Sequence, residues 1–221
     1  MTDFRVVPDS ANPDNAVPEG MNPDAARTWP SRELIESFLG GDYDVEIWPG
    51  ETIHVDSEEA AAAARQFRDV LGRFATGVTV VTALSQSGGG GVPVGMTCQS
   101  FMSVSLDPQL VVFSPAKTSR AWPLIQRSGA YCVNLLAADQ VDLSNRMAAR
   151  GIDKFADVAW SPSPETGSPL LDGITGYVDC RIHTVHEAGD HWLVVGRVVD
   201  LDATDVPHAL TFHDGHYGST Q

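Results

Sequence analysis

The chain has 221 residues, enough to bury a sizeable core in one domain with an appendage. Its hydrophobic content of 43% suits a globular protein, and no window of about 18 apolar residues offers a membrane span. A net charge of −15, from 29 acidic and 14 basic residues, disfavours nucleic acid as a partner.

The charge is unevenly placed. Residues 1–64 hold 3 basic and 14 acidic side chains, whereas 65–221 hold 11 and 15. Within the second part Lys117, Arg120, Arg127, Arg146, Arg150 and Lys154 gather in one stretch, as an anionic ligand would require locally. The N-terminus lacks the basic and apolar regions of an export signal. Cys98, Cys132 and Cys180 are odd in number and far apart, which suits buried, reduced thiols. Both features lead to the expectation of a cytoplasmic protein.

In chain order, residues 1–56 read as an acidic, proline-rich arm. Pro8, Pro13, Pro18 and Pro23 recur every five residues and break both helix and sheet ladders. A short helix over 31–39 and a small hairpin over 43–55 follow. The main domain is expected over 57–221. Asp56 and Glu59 are spaced as a capping box, and Phe67, Val70, Leu71 and Phe74 form one apolar helical face. Strands then dominate, at 78–84, 92–101, 109–114, 130–136, 176–186, 191–201 and 210–213. Between them come a helical turn at 122–127 and a helix over 139–150. Gly88 to Gly91 read as a hairpin turn, and Gly189 as the turn before His191. Strands joined as hairpins with few crossover helices predict a mainly β protein with flanking helices, an antiparallel barrel.

No dinucleotide-binding or phosphate-loop glycine pattern is present, and no G-x-S-x-G elbow supports hydrolysis. His183 and His186 are separated by an odd number, so on a strand they face opposite ways, and no metal site is expected. The informative stretch is 91–120. A strand ends in hydroxyl and amide side chains, and a later loop carries hydroxyls with two cations. That arrangement suits a flat polar ring with an attached phosphate.

Four stretches make the chain resemble the flavin reductase family with the FMN-binding split-barrel fold: FRDVLGRFATGVTVVT (67–82), PVGMTCQSF with SVSLDP (93–108), SGAYCVNLL (128–136) and GDH (189–191). Members are reductase components of two-component flavin monooxygenases. The resemblance implies an NAD(P)H:flavin oxidoreductase that reduces FMN or FAD and feeds a partner monooxygenase. It also implies a homodimer with flavin at or near the subunit interface. Pro93, Val94, Gly95, Met96, Thr97, Gln99 and Ser100 would line the flavin ring. Ser114, Pro115, Ala116, Lys117, Ser119, Arg120 and Ala121 would take the ribityl chain and phosphate, with Arg146 a further contact. His191, Phe212, Gly215 and Tyr217 would meet NADH or NADPH, although His216 departs from the usual family wording there. No catalytic side chain is implied, because the cofactors carry hydride chemistry. A non-catalytic flavin carrier or sensor on the same barrel is the alternative.

Overall fold

The computed structural model describes residues 58–85 and 91–220. The arm, its short helix and hairpin, Asp56 of the capping box, and Gly88 to Gly90 lie outside the described residues. The described residues begin with helix α1 (Glu58–Leu71), followed by β1 (Thr76–Gly77), β2 (Thr79–Ser85), β3 (Val92–Cys98), β4 (Met102–Leu106) and β5 (Gln109–Phe113). Helix α2 (Trp122–Ser128), β6 (Ala130–Leu135) and α3 (Val141–Ala148) come next. The chain closes with β7 (Trp160–Pro162), β8 (Pro169–Leu171), β9 (Gly176–Ala188), β10 (His191–Ala203), β11 (Leu210–His213) and β12 (His216–Ser219). Among the described residues no helix is long and apolar enough to cross a membrane.

Seven strands form one antiparallel sheet in the order β3-β2-β6-β9-β10-β5-β4. Its two edge strands, β3 and β4, are consecutive in the chain. Only residues 99–101 separate them, a link that spans at most about 14 Å when extended. In a flat sheet of this order the same two strands would stand about 29 Å apart, at roughly 4.8 Å per strand. The sheet therefore curls into a barrel that stays split between β3 and β4. This is the antiparallel split barrel expected from the sequence.

The inside of the barrel is filled by Val81, Ala83, Phe113, Tyr131, Val133, Cys180 and Val194, and α2 adds Trp122 and Ile125. Phe113 meets Trp122 and Tyr131 edge-on, with ring centroids 5.8 and 5.0 Å apart. Gly196 makes room for Tyr131: a methyl group there would stand 1.8 Å from the phenolic oxygen. Burial pushes the Tyr131 hydroxyl and all three cysteine thiols up from their usual pKa range, so they stay protonated and inert. A second core lies outside the barrel wall and joins Val78, Val80, Leu136, Met147, Leu171, Ile174 and Leu210. Strand β2 feeds both cores from alternate positions, which is why its sequence reads as an almost unbroken apolar run.

Several expected elements shift. The strand expected over 92–101 ends at Cys98, so Gln99 and Ser100 lie in the link at the split. The stretch Met102–Leu106, where no strand was expected, is the edge strand β4. Strands β1, β7, β8 and β12 were not expected.

Candidate active site

The free edge of β3 forms one wall of a cavity of about 420 Å³, within the range of small-molecule sites. Pro93, Val94, Gly95, Met96 and Thr97 supply that wall, and Arg120, Ala121 and Leu124 supply a second at the start of α2. The last turn of α3 and the segment after it, from Met147 to Phe155, supply the third. Seven of the residues expected at a flavin therefore converge here: the five of β3, with Arg120 and Ala121.

Side chains alternate along β3. Val94 and Met96 pack against the barrel interior. Thr97 points the other way and donates to the Ser144 carbonyl of α3. Gly95 is also on that side, and a methyl group there would press on Phe155 at 3.3 Å and the Met147 sulfur at 3.4 Å. Because β3 is an edge strand, half of its backbone groups have no sheet partner. The Gly95 carbonyl turns outward to the Lys154 ammonium at 3.1 Å. In an antiparallel strand the N–H and C=O of one residue point to the same side. The N–H groups of Gly95 and Thr97 thus face outward too.

Arg120 and Arg150 line the cavity and make no hydrogen bond or ion pair with the described residues. They are free to meet an anion. Lys117 is differently placed: it pairs with Glu187, and its ammonium lies 5.5 Å from the Trp192 ring centroid. Arg146 donates to the Ala156 carbonyl and so holds the loop after α3. Neither Lys117 nor Arg146 lines the cavity.

The loop with Ser114, Pro115, Ala116 and Lys117 is tied down on both sides. Ser100 Oγ accepts from the Ser114 N–H at 2.8 Å. The Lys117 N–H donates to the Asp190 carbonyl at 2.9 Å, and the Trp192 N–H to the Pro115 carbonyl at 2.9 Å. Ala116 bridges His191 as an isolated antiparallel pair. The structure thus places His191 directly beside this loop, at the start of β10 after the Gly189 turn. His191 Nδ1 contacts Asp190 Oδ1 at 2.7 Å, which leaves Nε2 clear. The His191 ring, by that hydrogen bond, holds the Asp190 carboxyl below the usual range. Ser119 Oγ accepts from the Trp122 N–H at 3.2 Å at the start of α2.

Phe212, Gly215 and Tyr217 do not line the cavity. Phe212 and Tyr217 stack edge-on at 5.1 Å against the second core. The Tyr217 hydroxyl is 3.0 Å from Ser144 Oγ and 3.0 Å from Asn145 Oδ1, which binds β12 to α3. Gly215 forms the β11–β12 turn at φ 79°. The cavity includes Leu124, Ile152 and Phe155, which sequence reasoning missed, and Arg150 and Lys154, which it named only as part of a cationic stretch. Lys154-Phe155 lies beyond the last expected helix, and no local pattern reveals that it folds back onto β3.

Residues 71–221 match the family described as flavin reductase like domain. The chain belongs to the flavin reductase family. Among its relatives, a reductase subunit of a flavin-dependent monooxygenase, HsaB of Rhodococcus jostii, is 48% identical over 153 residues, covering 69% of this chain and 76% of that protein. The nitrilotriacetate monooxygenase component B homologue of Mycobacterium thermoresistibile superposes with a TM-score of 0.69 at 45% identity, over 73% of this chain and 88% of that one. The NADH:FAD oxidoreductase SgcE6 of Streptomyces globisporus, solved in complex with NAD and FAD fragments, superposes at 0.64 with 33% identity, over 71% and 92%. The expectation of a flavin-reducing oxidoreductase is thereby borne out.

The residues of the cavity fit a flavin. Val94, Ala121, Leu124 and Ile152 are apolar surfaces for a flat ring, the β3 edge offers N–H groups to its polar rim, and Arg120 and Arg150 stand ready for phosphate.

Proposed function

We propose that the cavity along the free edge of β3 is where this flavin reductase binds FMN or FAD, and that NADH or NADPH reaches the ring from the side of His191. Flavin supplies the hydride acceptor. The protein's task would be to orient the two cofactors and to stabilise the charge that develops. Val94 and Ala121 would bound the ring, N–H groups of the β3 edge would meet its polar rim, and Arg120 with Arg150 would neutralise phosphate. His191, steadied by Asp190, offers Nε2 to the nicotinamide nucleotide. No side chain needs to act as acid or base, since hydride passes directly between the cofactors. The observation that carries this reading is the convergence of the β3 edge, unpaired guanidinium groups and apolar walls on one cavity of suitable size.

Reduced flavin then passes to a separate monooxygenase, the role named for HsaB. The working unit is a homodimer. On the outer edge of the sheet, β4 presents Met102, Val104 and Leu106 to solvent, Leu106 at 89% exposure. An apolar edge strand with unpaired backbone groups invites a second chain. Because β3 and β4 flank the split, a dimer formed there would bring the partner close to the site.

The purified protein should consume NADH or NADPH, read as loss of nicotinamide absorbance, only when FMN or FAD is added. No oxidation with either flavin and either nucleotide would remove the reductase reading.

A further inference from the structure

Lys154 links two walls of the cavity. Its ammonium donates to the Met147 carbonyl at 2.6 Å and to the Gly95 carbonyl at 3.1 Å. The first acceptor belongs to the last turn of α3, where carbonyls lack helical partners and a cation is favoured. The second belongs to the free edge of β3. Among the described residues, Lys154 is the one hydrogen-bonded cation of the three that line the cavity. It is half-buried, and burial pulls its pKa below the usual lysine range.

The contact changes what β3 shows to a ligand. An unpaired strand edge normally presents both donors and acceptors. Here Pro93 contributes no N–H, and the Gly95 carbonyl is capped by Lys154. At Gly95, itself buried, the cavity therefore meets a capped carbonyl with a positive charge beside it. An ammonium has three N–H bonds and two are engaged, so one remains for the cavity. Asp153, the acidic residue of the lining, accepts from the Phe155 N–H at 3.0 Å.

We infer that Lys154 is a positioning residue that caps the Gly95 acceptor on the β3 edge and, through its charge, supports reduced, negatively charged flavin more than oxidised flavin. The inference rests on the cavity being the flavin site. Hydride transfer moves two electrons and one proton to the ring, which gains one negative charge. An edge with its Gly95 acceptor capped and a cation beside it matches that product better than the neutral ring.

The test compares the affinity of the full-length apoprotein for oxidised FMN with its affinity for photoreduced FMN, by anaerobic fluorescence titration. Lys154→Met should weaken oxidised FMN about threefold and reduced FMN about thirtyfold. That tenfold difference lowers the potential of bound flavin by about 30 mV for a two-electron couple. Lys154→Arg, which keeps charge and donors, should recover most of the difference. Equal losses for the two redox forms, or no loss, would overturn the inference. If Lys154→Met does not fold, the same ratio is read on Lys154→Gln. Ala121→Trp, which fills the cavity, should abolish binding of both forms. Retained affinity there would show that flavin lies elsewhere and would remove the inference together with the site, whereas loss there with an unchanged ratio in Lys154→Met would remove the inference alone.

Discussion

His191 shows how a single residue acquires a role from its neighbours. It follows a two-residue turn, bridges Ala116, and has one ring nitrogen held by Asp190. The other nitrogen is left to meet a ligand beside the 114–117 loop. Replacing it by alanine removes that contact without touching the cavity walls. His191→Ala should raise the KM for NADH or NADPH several-fold, with flavin affinity unchanged. Steady-state kinetics with flavin held at saturation would check this, and an unaltered KM would take His191 out of the site. At the same scale, Lys117 and Arg120 looked equivalent in the sequence, as cations three residues apart. The fold separates them: Glu187 on β9 engages Lys117, while Arg120 lines the cavity. Pairing across 70 residues leaves no mark in local sequence.

Among the elements, the long strands were legible because their apolar residues alternate or run continuously. The segment expected over 210–213 is β11, and those expected over 176–186 and 191–201 fall within β9 and β10. Strand β4 was missed, although Met102, Val104 and Leu106 alternate with serines, because the five-residue stretch is short. Strands β7 and β8 are three residues each and hold proline, so no period can establish itself. Phe212 and Tyr217 were expected over the nicotinamide, yet their hairpin packs on the second core and on α3. Both rings are only partly buried there, so their packing accounts for one face of each. The exposed apolar face of β4 carries its own consequence. Leu106→Asp should shift a dimer towards monomer in sedimentation velocity, with the far-ultraviolet circular dichroism unchanged. A dimer that persists would place the interface on another surface.

At the scale of the whole molecule, the fold follows from one geometric constraint. Seven strands whose two edges are joined by residues 99–101 cannot lie flat, so the sheet closes except at β3 and β4. That leaves one strand edge unpaired beside α2 and the segment after α3, and the cavity lies along that edge. The β3 half of the site was legible as a small-residue strand rich in polar groups, and Arg120 as a cation in the loop that follows. The Met147 to Phe155 wall was legible only as two cations, Arg150 and Lys154, because the segment reaches β3 through tertiary packing beyond the end of a helix. The most direct test is a crystal structure with FMN or FAD bound. The account predicts the ring against the β3 edge, its polar rim facing the Gly95 and Thr97 N–H groups and its phosphate within reach of Arg120. A flavin found away from this cavity, with β3 bare, would contradict it.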